Sequence, residues 1–397
     1  MSDRKVYIIA AKRTPIGSFG GALAGVAAPR LGAIAIRAAL DQAALEDGQI
    51  DEVLMGSVLQ ADLGQAPARQ ASKLAGLSDH TSATTINKVC ASGMKAIGLA
   101  SQSIRLGDAK LVIAGGMENM SRVPYYGSAV RWGLRFGGGQ FVDGLQRDGL
   151  SDAYTGKMMG NFGELCANEF EITREQQDAF ALSSYRRSEE AWQLGKFHAE
   201  IAPVEVMHKK ETQQVLEDEE FKNLKTEKLS QLRPAFTREG TITAANASKL
   251  SDGAAAVILA SELAVDEYGL RPLAELVAYA DAEHAPEWFT TSPARAAEHA
   301  LKKAGLDIAD IDFVECNEAF AVVALANAQL LNVDLKRMNV YGGAVALGHP
   351  LGCSGARIVV TLTQVLRQEN GKYGLAMICN GGGGASALII KNVNYAG

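Results

Sequence analysis

The sequence predicts an α/β protein made of two similar βαβ-type halves, with a loop domain inserted between them. Several short runs are apolar throughout, such as 6–10 and 376–379, as expected for strands buried on both faces of a sheet. These runs alternate with longer segments of helical spacing, which is typical of βαβ units and a mostly parallel sheet. The same order of features then occurs twice along the chain.

The repetition is visible in the spacing of matched residues. In the first copy, 42 residues separate Ile50 from Ser92, and in the second copy 43 residues separate Ile311 from Ser354. Each of these serines is followed by glycine and opens an apolar helical stretch, and each stretch leads to a strand with a glycine cluster. Two copies of one α/β unit explain this pattern.

The chain has 397 residues, which is enough for two or three domains. We assign residues 1–119 to the N-terminal half and residues 251–397 to the C-terminal half. Residues 120–250 carry glycine-rich and aromatic loops, and a charged helical stretch that begins with a capping box of Thr173 and Gln176. We interpret this segment as an inserted loop domain whose last part returns to the N-terminal half.

Composition and charge narrow the possible functions. The net charge of −6 argues against nucleic acid or an anionic membrane as the main partner. We expect neither a signal peptide nor a membrane span, because the start is polar and the apolar runs are short. The five cysteines are scattered without a C-x-x-C pair. We therefore expect a cytoplasmic, reducing compartment, with neither disulfides nor a zinc site.

The first candidate for chemistry is Cys90, in the run NKVCASG. A short β-type run ends at this cysteine, and small residues then open an apolar helix. Backbone N–H groups and the helix dipole lower a thiol pKa at such a position and favour the nucleophilic thiolate. The alternative is a buried, inert cysteine.

The second candidate is His349, in the run YGGAVALGHPLG. Glycine and proline on either side hold such a backbone in one unusual conformation. A histidine in that setting can act as a base or as an oxyanion donor. A solvent-exposed turn histidine is the alternative.

Two further motifs follow the ends of predicted strands. Cys379 ends a buried strand, and four glycines begin at Gly381, whose N–H groups can form an oxyanion-binding nest. A nucleotide-phosphate loop is the alternative, although no Lys-Ser/Thr follows as in a P-loop. Asn317 and Glu318 end another strand, where α/β sheets place active sites. Asn317 could instead only cap the next helix.

Taken together, these motifs resemble the thiolase family, and the resemblance covers almost the whole chain. Further matching runs are RTPIGSF from Arg13, GQAPARQ from Gly64, AGGME from Ala114, REQQD from Arg174 and ANAS from Ala245. The resemblance implies a thiolase-like fold packed as αβαβα layers, with helices between and outside two sheets. It also implies reversible Claisen condensation of two acetyl-CoA molecules to acetoacetyl-CoA and CoA through a cysteine thioester. These thioesters are substrates, and no resident cofactor is expected.

In the mechanism that the resemblance implies, Cys90 takes the acyl group as a thioester and Cys379 moves the α-proton. His349 activates Cys90 and then donates to the thioester oxygen, together with a water held by Asn317. The backbone N–H groups of Cys90 and Gly381 form a second oxyanion hole. Separate cysteines suit this chemistry, because one acyl group stays an electrophile while the other becomes a carbanion.

Other matched positions concern coenzyme A and the choice of acyl chain. By resemblance, Ser248 contacts the pantetheine arm, Phe236 lies beside the adenine, and Met159 is expected among the CoA-binding residues. Acetoacetyl-specific members carry a histidine where this chain has Met158. A thioether accommodates apolar chains better than an imidazole does. A 3-ketoacyl-CoA thiolase acting on longer chains in fatty-acid degradation is therefore the alternative function.

The resemblance also implies a possible potassium site and a homo-oligomer, either a dimer or a homotetramer built as a dimer of dimers. A phenol and backbone carbonyls suit a hard monovalent cation. The matching residues are Tyr185, Ala244, Ala245, Ala247 and Val345.

Two more distant functions fit the motifs less well. A ketosynthase of the wider superfamily is disfavoured by the presence of both Cys90 and Cys379. A non-catalytic subunit of the same fold, which binds a partner, is disfavoured because Asn317 and His349 are also intact.

Overall fold

The structure is a computed structural model that describes residues 4–134, 136–208 and 210–396. In these ranges the strands are β1 (Val6–Arg13), β2 (Gly17–Ser18), β3 (Glu52–Gly56), β4 (Ser82–Ile86), β5 (Leu111–Asn119), β6 (Tyr125–Tyr126), β7 (Val142–Asp143), β8 (Val204–His208), β9 (Glu211–Val215), β10 (Ser251–Ser261), β11 (Ala274–Glu283), β12 (Phe313–Cys316), β13 (Tyr373–Asn380) and β14 (Gly384–Asn392). The helices are α1 (Ala28–Ala43), α2 (Pro67–Leu74), α3 (Ser92–Leu106), α4 (Met159–Glu169), α5 (Arg174–Gln193), α6 (Glu262–Tyr268), α7 (Ser292–Ala304), α8 (Ala321–Leu331), α9 (Ala344–Leu347) and α10 (Leu351–Gln368).

A ten-stranded sheet runs through both halves of the described chain. Its order is β12-β13-β14-β11-β1-β10-β5-β3-β4, with β2 beside β10. Strands β1, β10, β5 and β3 therefore correspond in order to β11, β14, β13 and β12. The two halves join where Tyr7 and Ile8 of β1 pair with Glu275 and Ala274 of β11. The predicted pair of similar halves is confirmed by this arrangement.

Two expectations about the sheet were wrong. The sheet is mixed rather than mostly parallel, because β10 and β14 run antiparallel to their neighbours. Apolar runs show only that helices cover both faces, and they do not reveal strand direction. The halves also do not form two separate sheets. Pairing of β1 with β11 satisfies edge N–H and C=O groups that would otherwise be buried without partners where the halves meet.

Three layers of helices alternate with the two halves of the sheet, which gives five layers. Helices α1 and α2 cover the outer face of the N-terminal half, α3 and α10 lie between the halves, and α7 and α8 cover the outer face of the C-terminal half. Side chains of the central layer, such as Met94 of α3 and Val359 of α10, are fully buried. The order of layers is the predicted αβαβα.

The repeated Ser-Gly pairs explain how the two central helices come together. A Cβ atom on Gly93 of α3 would lie 2.8 Å from the backbone nitrogen of Ala356, and one on Gly355 of α10 would lie 2.5 Å from that of Met94. Real Cβ atoms do not approach backbone so closely, so these positions require glycine. The close approach places the first turns of α3 and α10 side by side.

Residues 120–250 hold the hairpins β6–β7 and β8–β9 and the helices α4 and α5. Helix α5 begins at the predicted capping box, in which the side chains of Thr173 and Gln176 each accept the other's backbone N–H. Among the described residues, no helix combines the length and apolar character needed to cross a membrane.

Candidate active site

Cys90 lies in a strained turn between β4 and α3. Val89 has a φ of +47°, and a β-branched residue adopts this left-handed conformation at a cost of roughly 1–3 kcal/mol. The Asn87 side chain accepts the N–H of Val89 at 2.9 Å, and Ser92 Oγ donates to the carbonyl of Val89 at 2.5 Å. These contacts hold the turn and present a half-buried Cys90 thiol before the first turn of α3.

The protonation of this thiol differs from the expectation. Burial raises the pKa of Cys90 to about 12, and the backbone N–H groups of Gly381 and of Cys90 itself lower it by less. Desolvation therefore outweighs the N–H groups, and the resting thiol is protonated. The nucleophile needs a base to take its proton. The two N–H groups that act on the sulfur are the pair expected to form an oxyanion hole.

His349 is only 4% exposed, so it is not a solvent-exposed turn histidine. Gly348 precedes it with a φ of +110°, and a Cβ atom there would lie 2.2 Å from Ser251 Oγ. The N–H of His349 donates to the carbonyl of Lys249 at 3.0 Å. The glycine and these contacts hold the histidine backbone in one conformation, as the motif predicts.

A hydrogen-bond chain sets the tautomer of His349. Ser354 Oγ donates its proton to the carbonyl of Pro350 at 2.9 Å, so it must accept from the histidine at its 2.6 Å contact with Nδ1. The ring proton is therefore assigned to Nδ1, and Nε2 carries a free lone pair. Burial, with a smaller effect of Arg357, lowers the pKa of His349 to about 3. The imidazole is therefore neutral at pH 7, and Nε2 is its unprotonated nitrogen.

This buried neutral histidine should make the protein sensitive to acid. Folded His349 stays neutral down to about pH 3, whereas the unfolded chain binds a proton near pH 6.5. Between these values the unfolded state binds more protons, so the free energy of unfolding falls as the pH falls. Between pH 7 and pH 5, the free energy of unfolding of His349→Gln should therefore fall by about 2 kcal/mol less than that of the wild type. Denaturant unfolding of both proteins at the two pH values measures this difference, and equal losses would contradict the prediction.

Asn317 faces the histidine from the loop after β12. Its Nδ2 lies 3.5 Å from His349 Nε2, and its Oδ1 is buried without a partner among the described residues. Asn317 does not cap helix α8, which begins at Ala321 with Phe320 in the capping position. The amide therefore belongs to the site rather than to the helix end.

Cys379 lies at the end of β13 and is 1% exposed. Burial raises the pKa of this thiol well above its usual range, and the nearby Cys90 thiol raises it further. The two cysteines therefore share one site. Gly382 and Gly383 have φ of +88° and +93° and turn the chain back into the antiparallel strand β14. The glycine run is thus a tight turn that directs the Gly381 N–H at Cys90, rather than a loop leading into a helix.

A cavity of about 130 Å³ opens beside His349. Its walls include Met158, Met159, Phe236 and Ser248. The structure therefore brings every residue predicted for coenzyme A and for chain-length choice to one cavity, next to the candidate base.

Glu118, like Ser354, was not predicted from the sequence to support the site. Its carboxylate ends the apolar strand β5 and accepts the N–H groups of Val58, Leu59 and Gly352 at 3.0, 3.2 and 2.9 Å. Burial raises the pKa of Glu118 to about 7. This residue ties the first turn of α10 to the loop after β3. In the sequence, a single carboxylate at the end of an apolar strand was the signal that could have identified Glu118 as a residue supporting the site.

Comparison with known proteins agrees with this geometry. The family model described as "Thiolase, N-terminal domain" matches residues 6–263, and the model described as "Thiolase, C-terminal domain" matches residues 270–392. Together these two matches cover most of the chain, so the chain belongs to the thiolase family.

Similar proteins carry a more particular name. The acetyl-CoA acetyltransferase of Schizosaccharomyces pombe is 51% identical over 99% of this chain and 100% of that protein. The enzyme of the same name from Saccharomyces cerevisiae is 52% identical over 98% of this chain and 100% of its own length. A thiolase from Ascaris suum, solved as a crystal structure with coenzyme A, is 47% identical with a TM-score of 0.94, covering 98% of this chain and 100% of that one.

Proposed function

We propose that this chain is an acetyl-CoA acetyltransferase, which condenses two acetyl-CoA molecules reversibly to acetoacetyl-CoA and CoA. This proposal is carried by the neighbouring thiols of Cys90 and Cys379, together with a neutral His349 on the cavity wall. The relatives named acetyl-CoA acetyltransferase and the coenzyme A complex of a similar thiolase support these substrates. The thioesters are substrates, and the chemistry needs no resident cofactor.

In the first half-reaction, Nε2 of His349 accepts the proton of Cys90, and the thiolate attacks the carbonyl carbon of acetyl-CoA. The N–H groups of Cys90 and Gly381 stabilise the negative charge on the oxygen. A thiol with a raised pKa is protonated at rest, so Cys379 can give its proton to the leaving CoA thiolate. The acetyl group stays on Cys90, and Cys379 becomes a thiolate.

In the second half-reaction, the thiolate of Cys379 removes the α-proton of a second acetyl-CoA. The imidazolium of His349 and a water held by Asn317 stabilise the enolate oxygen. The carbanion attacks the acetyl group on Cys90, acetoacetyl-CoA forms, and the thiolate of Cys90 leaves. Return of the proton from His349 to Cys90 restores the resting enzyme.

The experiment that tests this function is a comparison of kcat/KM on acetoacetyl-CoA and on a long-chain 3-ketoacyl-CoA. We expect the short substrate to be preferred. A preference for the long chain would favour the second candidate, a 3-ketoacyl-CoA thiolase. That candidate is supported by one observation, the thioether of Met158 on the cavity wall.

Met158→His should increase the preference for acetoacetyl-CoA over longer substrates. An imidazole on the cavity wall needs a polar partner, and a longer acyl chain cannot supply one. An unpaired buried polar group costs roughly 1–3 kcal/mol, so the ratio of kcat/KM values should shift by about tenfold. Leu250→Ile on the same wall is a matched control that adds no polar atom. If the ratio of the two kcat/KM values stays within about twofold of wild type, Met158 does not contact the acyl chain.

We also propose that copies of this chain form a dimer or a tetramer. Strand β4 is an edge of the sheet, and an edge strand offers unpaired backbone groups to a second copy. The side chains of Trp132, Phe136 and Phe141 in the inserted segment are largely exposed, and large exposed apolar patches are typical of interfaces. Light scattering distinguishes the monomer, the dimer and the tetramer.

The net charge of −6 argues against a nucleic-acid partner, and the five free cysteines support a reducing, cytoplasmic compartment. Cell fractionation tests the compartment.

A further inference from the structure

The side chain of Lys249 lies where the resemblance to the family predicted a potassium ion. Its Nζ donates to the carbonyl of Ala247 at 2.8 Å and lies 3.5 Å from the carbonyl of Val345. It also lies 5.6 Å from the centroid of the Tyr185 ring, over the ring face, which is a favourable cation–π geometry. The ammonium therefore approaches two of the predicted ligand carbonyls and the ring of Tyr185, a third predicted ligand residue.

The surroundings of Lys249 suit one positive charge. Two carboxylates, Glu220 and Glu318, act on the ammonium and favour its charged form. Glu318 also accepts the N–H of Val345 at 3.0 Å. Val345 is thus held through its N–H by a carboxylate and through its carbonyl by an ammonium.

A potassium ion does not fit beside this ammonium. Both are monovalent cations of similar radius that bind carbonyl oxygens, and two like charges a few ångströms apart repel strongly in a buried site. Ala244 and Ala245, the other two predicted ligands, lie in the turn that leads to Ala247. Their carbonyls alone do not make a cation site once Lys249 has taken the shared centre.

Lys249 also connects two segments that line the cavity. Its backbone carbonyl accepts the N–H of His349, and its neighbour Ser248 lies on the cavity wall. Its ammonium reaches Val345 in α9, four residues before the histidine.

We infer that the ammonium of Lys249 is a built-in cation, which replaces potassium in holding the loop of His349 against the segment of Ser248. Lys249 is therefore a positioning residue. The expected effect of Lys249 on stability does not depend on the proposed function, whereas its expected effect on catalysis rests on that function.

Thermal unfolding and kinetics in equal concentrations of KCl and NaCl test this inference. Wild type should give the same unfolding midpoint, kcat and KM in both salts. Lys249→Ala opens space for an ion. Its midpoint in NaCl should be lower, KCl should raise that midpoint by about 2 °C, and its KM for acetyl-CoA should rise roughly tenfold in NaCl and recover in KCl. Lys249→Met fills the space without charge, and its lowered midpoint should not respond to KCl.

Lys95→Ala is the matched control. Lys95 Nζ lies 2.8 Å from an Asp281 oxygen and 5.5 Å from the Tyr279 ring centroid, so it has a similar set of contacts outside the cavity. Any decrease in the unfolding midpoint of Lys95→Ala should be the same in KCl and in NaCl. A wild type that is more stable or faster in KCl would overturn the inference. So would a Lys249→Ala protein that is unaffected in NaCl, or one that is destabilised but indifferent to KCl. The unfolding midpoint decides these cases even if the protein has no thiolase activity.

Discussion

Replacing Cys90 with serine should abolish the acetyl-enzyme, whereas replacing Cys379 with serine should leave it intact and stop condensation. The structure places both thiols at one site, but only Cys90 has the N–H of Gly381 directed at its sulfur. A hydroxyl is a weaker nucleophile than a thiol, so Cys90→Ser loses acylation. A hydroxyl is also a far weaker acid, so Cys379→Ser cannot form the base that removes the α-proton, whereas the CoA thiolate can still leave the acylation step without a proton from residue 379. Each variant should reduce the overall kcat by about 10³-fold or more.

Mass spectrometry after mixing with labelled acetyl-CoA measures the first step, and acetoacetyl-CoA formation measures the second. Cys166→Ser is a control for a buried thiol, because Cys166 is fully buried in α4, lies outside the cavity and the turn of Cys90, and has only a small electrostatic effect on Cys379. That variant should keep both steps. Labelled acetyl bound to the Cys90→Ser protein at wild-type stoichiometry would show that another residue is the nucleophile.

His349→Gln should lower the rate of acylation by about 10³-fold, because the proposed base, which faces Asn317 at this site, is lost. Ser354→Ala should have a smaller effect of about tenfold, since it removes only the hydrogen bond that keeps the proton on Nδ1. The second variant leaves the imidazole in place but permits the wrong tautomer. Its KM for acetyl-CoA should therefore stay near the wild-type value while kcat falls.

Single-turnover acylation in the presence of labelled acetyl-CoA measures both effects. Ser101→Ala is the matched control for Ser354→Ala, because Ser101 is also buried on a central helix and donates to a carbonyl of its own helix at 2.7 Å. An equal loss in Ser101→Ala and Ser354→Ala would mean that the serine only stabilises its helix. A normal acylation rate in His349→Gln would remove the histidine from the mechanism.

Several features could be predicted because they depend on residues close together along the chain. The capping box of Thr173 and Gln176 starts α5 where predicted. The glycine before His349 and the glycines after Cys379 mark turns that other residues cannot make. The spacing of the two Ser-Gly pairs predicted two similar halves. Resemblance to the family then supplied roles that these local patterns alone left open.

Other features could not be predicted because they depend on groups that only folding brings together. Strand direction was one of them, since an apolar run is compatible with parallel and antiparallel neighbours alike. The raised pKa of Cys90 was another, because burial by distant segments outweighs the local N–H groups.

The sequence by itself determined the two-half α/β fold and the turns around Cys90, His349 and Cys379, because local backbone chemistry encodes them, and it named the candidate reactive side chains. Only the tertiary structure decided how those groups are protonated and what occupies the predicted cation site. Ser354 sets the tautomer of His349 through one contact of its hydroxyl. Lys249 reaches Val345 across almost one hundred residues of chain. Electrostatic environment depends on distances in space, and the order of residues does not state those distances.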